Sequence, residues 1–218
     1  MTGETAQDQS ALRFWQRWSG RYDWFMRRDA ALYDAVAARM KPRLHRDMNV
    51  LELGCGTGLL SQRIAGCVRD LEATDLAPEM IAQARKKPAS CRVHYSVQDA
   101  VALPYASETF DAVVAANVLH IMPQPEKALA EARRVLKPGG VLIVPTFVHG
   151  EGGRGRLRRS VMRLFGFRVD HRWGAAQFSD FVARCGFAPL RQETLGSALA
   201  PLCYLEARKG EGSRDPNA

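Results

Sequence analysis

The stretch Val50-Leu51-Glu52-Leu53-Gly54-Cys55-Gly56-Thr57-Gly58-Leu59 decides the fold. An apolar run of strand character passes into glycine at every second position, and a stretch of helical character follows from Leu59 to Ala65. Glycine lets the backbone turn tightly and approach a ligand with no Cβ in the way. The start of a helix offers unpaired N–H groups and the positive end of a dipole to an anion. In an open α/β sheet a site of this kind lies beyond the carboxyl ends of the strands.

Two classes of ligand compete for this turn. The dinucleotide fingerprint G-x-G-x-x-G requires glycine at position 59, where this chain has Leu59; its third glycine is Gly58. Asp75 ends the next apolar run, about 20 residues on, where an acid accepts both hydroxyls of a ribose. That acid suits NAD and any other adenosine ligand equally.

Outward from this segment, short apolar runs alternate with helical stretches. The runs are Asn49–Leu53, Leu71–Thr74, Arg92–Val97, Ala112–Ala116 and Val141–Phe147; the helical stretches are Leu59–Ala65, Pro78–Lys86 and Pro125–Leu136. Lys137-Pro138-Gly139-Gly140 reads as the stop after the last of these. Such alternation predicts parallel strands joined by right-handed crossovers, an open α/β sheet with helices on both faces. Ahead of it, Gln9–Trp18 and Tyr22–Met40 read as helices closed by Pro42. Near the other end Gln177–Cys185 reads as a helix, and Ala188–Glu193 and Leu202–Ala207 as two strands close enough to pair antiparallel. The polar residues 210–218 read as a disordered tail.

The chain has 218 residues, 46% hydrophobic and 25% charged, which suits one globular domain able to bury about 70% of its unfolded surface without disulfides. No apolar run reaches the roughly 20 residues of a membrane span, and the first 20 residues lack the apolar core of a signal peptide, so a cytoplasmic location is expected. Cys55, Cys67, Cys91, Cys185 and Cys203 are scattered and odd in number, the pattern of free thiols and not of a disulfide framework or zinc site. The net charge of +8 is concentrated: residues 154–172 hold seven arginines and Asp170, for +6, while the rest carries 24 basic and 22 acidic groups. One patch of this kind is not the broad basic face of a nucleic-acid binder.

Two further segments complete the pattern. Val97-Gln98-Asp99-Ala100 places a carboxylate after the third strand, and Phe110-Asp111-Ala112-Val113-Val114-Ala115-Ala116-Asn117-Val118-Leu119-His120 ends the fourth in polar groups at the same sheet edge. Glu131-Ala132-Arg133-Arg134-Val135-Leu136-Lys137-Pro138-Gly139-Gly140-Val141-Leu142-Ile143-Val144 leads into the fifth. This series, over about Tyr22 to Lys209, resembles the class I S-adenosylmethionine-dependent methyltransferases, and within them the small-molecule group that includes the ubiquinone and menaquinone methyltransferases. The resemblance implies a Rossmann-like open seven-stranded sheet, mostly parallel with an antiparallel last strand. It implies a single domain over 1–209, with a helical cap over 1–45 and a basic lid over 150–176 above the acceptor pocket.

Residue by residue, the resemblance implies that Gly54, Cys55 and Gly56 line the methionine part of the cofactor, with Glu52 near its amino group. Asp75 holds the ribose hydroxyls, Leu76 and Met80 flank adenine, Asp99 and Ala100 meet the adenine edge, Asn117 closes the site beneath the sulfonium, and Tyr22 belongs to the segment that covers it. Asn117 is followed by Val118 and Leu119, not by the Pro-Pro-aromatic segment of amino-methylating nucleic-acid enzymes, so a small-molecule acceptor is expected. His120 is the candidate for proton handling, and no metal is called for. A protein that binds the cofactor without transferring its methyl group is the alternative of another class. Leu157, Val161, Leu164 and Phe165 share one helical stripe, with Arg156, Arg159 and Arg163 opposite. Those arginines suit a solvated face, an acidic acceptor or anionic lipid headgroups at a membrane. Nothing in the sequence sets an oligomeric state.

Overall fold

A computed structural model describes residues 30–88, 90–148, 171–197 and 200–210. The N-terminal stretch before Ala30 and most of the basic segment, including Tyr22, Arg156, Arg159 and Arg163, lie outside the described residues.

The alternation read from the sequence becomes eight strands among the described residues: β1 (Asn49–Leu53), β2 (Asp70–Asp75), β3 (Val93–Val97), β4 (Phe110–Ala115), β5 (Leu136–Ile143), β6 (Thr146–Phe147), β7 (Phe187–Ser197) and β8 (Ala200–Lys209). They form one sheet in the order β3-β2-β1-β4-β5-β8-β6, with β7 on the other side of β8. Strands β1 to β5 are parallel, and β8 alone runs against them, pairing antiparallel with β5, β6 and β7. β6 continues the line of β5 beyond Pro145, so the eight strands fill seven positions, as the resemblance implies. Five helices are described: α1 (Ala30–Met40), α2 (Ser61–Ile64), α3 (Pro78–Arg85), α4 (Pro125–Val135) and α5 (Ala175–Arg184).

Strand periodicity sorts the core. Leu51, Leu53, Val113, Ala115 and Leu142 face one side, against Leu129 and Ala132 of α4 and Phe178 and Val182 of α5. Val50, Ala112, Val114 and Ile143 face the other, against Val36, Ala37 and Met40 of α1 and Ile64 of α2. Each large side chain fully withdrawn from water in these two layers contributes about 1.5–3 kcal/mol. α4 starts on Pro125, which fits a first turn, and carries Arg133 and Arg134 in its last turn, where cations complement the dipole.

Three boundaries differ from the sequence reading. Lys137-Pro138-Gly139-Gly140 is not a turn before β5 but a bulge inside it: Phe110 pairs with Leu136, Ala112 pairs with Val141, and Gly139 takes the positive φ of 73° that a bulge residue needs. β7 and β8 are longer than expected and pair along most of their length, from Phe187↔Lys209 to Ser197↔Ala200. The helix after the glycine turn begins only at Ser61 and spans four residues before tightening into a 3-10 turn over Ala65–Cys67.

Two backbone hydrogen bonds fix the chain on either side of residues 149–170. Val148 N–H donates to the Pro201 carbonyl at 3.0 Å before the basic segment, and His171 N–H donates to the His120 carbonyl at 3.1 Å after it. The His171 ring then stacks on Trp173 at 5.1 Å, and Trp173 packs on Phe178 and Phe181 of α5.

Candidate cofactor site

The glycine turn is built by three left-handed residues, Gly54 (φ 63°), Gly56 (φ 54°) and Gly58 (φ 76°). What crowds them is the protein itself. A Cβ on Gly54 would stand 2.4 Å from Val118 Cγ2, and one on Gly58 would stand 2.5 Å from the Tyr95 hydroxyl. Two of the three glycines thus admit a neighbouring side chain, whereas the sequence reading assigned the absent Cβ to a ligand. The dipole argument also weakens, because α2 is a single short turn with little macrodipole.

Asp75 ties the loop down. Its Oδ2 accepts the Gly56 N–H at 2.8 Å and its Oδ1 accepts the Ala77 N–H at 2.9 Å. Burial raises its carboxyl above the usual aspartate range, partly offset by these two N–H donors. Each oxygen retains a second lone pair for another donor. Beside it Leu76 is 45% exposed, as is Val97 at 44%, the β3 residue in register with Asp75. Two large apolar side chains are thus left open near Asp75 at the carboxyl edge of the sheet. Val97 escaped the sequence reading because alternation alone counts it as an ordinary strand residue. Met80, paired with Leu76 in that reading, is instead buried in α3.

Asp99 is exposed, and its carboxylate caps its own loop by accepting the Val101 N–H at 3.0 Å. Ala100 is buried against the main core. Asn117 takes a left-handed φ of 54°, which asparagine tolerates. Its N–H donates to the Pro145 carbonyl at 2.8 Å and its Oδ1 accepts the Phe147 N–H at 3.1 Å, so it clasps the break between β5 and β6. His120 lies beyond the end of β4, on a 3-10 turn over Leu119–Ile121, and is buried.

Glu52 is the unusual residue. It is 2% exposed, in a strand whose other members are apolar or at the edge. Ser61 Oγ donates to its Oε2 at 2.5 Å, and Thr74 Oγ1 donates to its backbone carbonyl at 2.9 Å. Burial pushes its pKa up to about 7; the Ser61 hydrogen bond works against that rise and the Asp75 charge adds to it. Burial likewise drives the Cys55 thiol well above its ordinary value, so it is an unreactive wall of the turn. Lys87 reaches across from the end of α3 to donate to the Thr57 carbonyl at 2.8 Å. Ser61, Tyr95, Lys87 and Val118 were missed in the sequence, since nothing in their spacing marks them as neighbours of the glycine turn. Among the described residues no three His, Cys, Asp or Glu side chains group as a metal site would.

The site therefore joins a glycine turn, the buried carboxylate that ties it down, two exposed apolar side chains and a buried acid near the ends of β1, β2 and β3. Residues 51–144 match the family described as methyltransferase domain. Over 100 residues the chain is 38% identical to a demethylmenaquinone methyltransferase of Renibacterium salmoninarum, covering 46% of this chain and 41% of that one. Over 117 residues it is 41% identical to a ubiquinone biosynthesis O-methyltransferase of Xanthomonas oryzae, covering 52% and 47%. The chain thus spans less than half the length of these curated relatives. A SAM-dependent methyltransferase from Thermotoga maritima shares the fold with a TM-score of 0.71 at 20% identity, over 91% of this chain and 99% of that one. The family match covers residues 51–144, somewhat less than half of the chain.

Proposed function

We propose that the protein is an enzyme that transfers a methyl group from S-adenosylmethionine to a small-molecule acceptor. The observation that carries this reading is Asp75: it secures the glycine turn through Gly56 while keeping lone pairs for two ribose hydroxyls, directly beside exposed Leu76 and Val97. The residues present suit the cofactor. Asp75 takes the ribose; Leu76 and Val97 receive the adenine ring, with Met80 buried in the helix that follows Leu76 and with Asp99 and Ala100 at the ring's edge. Gly54, Cys55 and Gly56 line the methionine end, where the acids Glu52 and Asp75 favour a cation. Asn117 fixes the floor through the β5–β6 break, and Tyr22 belongs to the covering segment.

When bound, S-adenosylmethionine supplies an electrophilic methyl group on a sulfonium. The chain's task is then to hold an acceptor in line with that carbon and to exclude water, effects that supply much of the rate. His120 takes a proton from an acceptor that must lose one. The names of the relatives put quinone-ring compounds first in the acceptor search.

Calorimetry with S-adenosylhomocysteine and with NAD tests the cofactor. Binding of the first and not of the second is expected, and the reverse would overturn the reading. Incubation with methyl-labelled S-adenosylmethionine and a panel of quinols, phenols, amines and thiols then tests the reaction. Cofactor binding with no labelled product across that panel favours a protein that senses the cofactor without turnover.

A further inference from the structure

Glu52 stands where strand alternation places a core residue, on the face that Val50 shares with Ile64 of α2. The groups around its carboxyl can be named element by element. From β2 comes the Asp75 carboxylate, from the β1 turn the Cys55 thiol, and from β3 the Tyr95 phenol, whose pKa Glu52 itself helps to raise. β4 offers apolar Val114 in register with Glu52. Of the nearby cations, Lys87 donates to the Thr57 carbonyl, while Arg63 pairs with Asp34 and the Leu59 carbonyl. Burial and a second acid both favour the neutral form. Ser61, itself fully buried, is the side chain that donates to the carboxyl.

We propose that Ser61 is a positioning residue for cofactor binding: its hydroxyl holds the Glu52 carboxyl in one place and favours its ionised form, so that the site meets the ammonium group of the methionine end, which S-adenosylhomocysteine shares, with a negative charge. A donor to a charged acceptor favours the ionised state by the equivalent of about one to two pKa units. The proposal rests on the S-adenosylmethionine reading above, and its test separates the two.

The first measurement needs no ligand. In protein carrying carboxyl-labelled glutamate, the carbon resonance of Glu52, assigned by its loss in Glu52→Gln, is titrated by NMR. The wild-type midpoint is expected near pH 7. Ser61→Ala is expected to raise it by about one pH unit, and Ser61→Thr, which keeps the hydroxyl, to restore it. Ser61→Gly serves the same purpose if the alanine variant does not fold. The second measurement is calorimetry with S-adenosylhomocysteine. Ser61→Ala is expected to bind about five-fold more weakly at about pH 7 and within about two-fold of wild type at about pH 8.5, because a higher pH restores the charge. A midpoint that does not move, or an affinity loss equal at both pH values, overturns the proposal. A midpoint that moves in a protein whose wild type binds no S-adenosylhomocysteine overturns the cofactor reading and with it the binding half of the proposal, while leaving the Ser61–Glu52 coupling standing.

Discussion

Asp75 and Gly56 are joined by one hydrogen bond, N–H to carboxylate, at 2.8 Å. The residue proposed to hold the cofactor's ribose is thereby also the strut of the loop at the neighbouring strand end. Asp75→Ala removes both functions. Its affinity for S-adenosylhomocysteine is expected to fall about 10- to 100-fold, a hydrogen bond to a charged group contributing about 1.5–3 kcal/mol. The melting temperature should fall as well, since the Gly56 and Ala77 N–H groups lose their acceptor. Unchanged affinity in calorimetry would remove Asp75 from the site.

Glu52 makes stability depend on pH. Its folded pKa of about 7 lies above the ordinary glutamate value, so between pH 4.5 and 7 the folded state holds a proton that the unfolded state has lost. Stability from this group therefore declines as pH rises through that window and then levels. Glu52→Gln, with no charge to desolvate, is expected to be more stable than wild type by about 3 kcal/mol above the window and to lose that advantage below it. Denaturant melts at either end of the range measure the difference. An equal gap at both ends would mean that Glu52 ionises normally.

Gly58→Ala meets two obstacles, a left-handed φ and the Tyr95 hydroxyl. The backbone term costs about 1–2 kcal/mol and the overlap about 1–3 kcal/mol. Adding Tyr95→Phe removes the oxygen that stands closest and should recover the second part only. A double-mutant cycle in denaturant reads this coupling directly. Strict additivity would mean that Tyr95 does not set the need for glycine there.

His120→Ala is expected to lower turnover by about 10²- to 10⁴-fold with cofactor affinity intact, if its imidazole moves the acceptor's proton. A structural role shows differently: the melting temperature drops and activity per folded molecule stays near wild type.

The arginines at 156, 159 and 163 test whether the acceptor is met at a membrane. Wild type is expected to sediment with anionic vesicles at low salt, to release at high salt, and to lose the interaction when all three become glutamate. A wild type that stays in the supernatant with anionic vesicles ends the membrane reading.

The sheet was legible in the sequence because period-two apolar runs and their glycine and proline boundaries are local signals; Asn49–Leu53 was read to the residue. The 137–140 bulge was not, because Pro-Gly-Gly carries the same turn chemistry whether it stops a helix or kinks a strand, and only pairing with Phe110 and Ala112 decides. At the site, Asp75 stood out through its distance from the glycines. Tyr95, Val97 and Val118 did not, since their part in it comes from packing between segments far apart in the chain, and Ser61, only nine positions from Glu52, did not because a lone serine after the glycines carries no spacing signal. The glycines were seen for a reason that proved incomplete: Gly54 and Gly58 make room for Val118 and Tyr95.

The two anchors on either side of residues 149–170, Val148 to Pro201 and His171 to His120, have an evolutionary consequence. Both anchors are backbone hydrogen bonds that ask nothing of the side chains joined between them, and for a flexible loop each doubling of length costs only about 0.6 kcal/mol in closure entropy. Length is therefore a weak constraint on what can be joined between these two anchors. Descendants of this scaffold can carry a stretch of different length or charge between the same two anchors without any change to the glycine turn between β1 and β2.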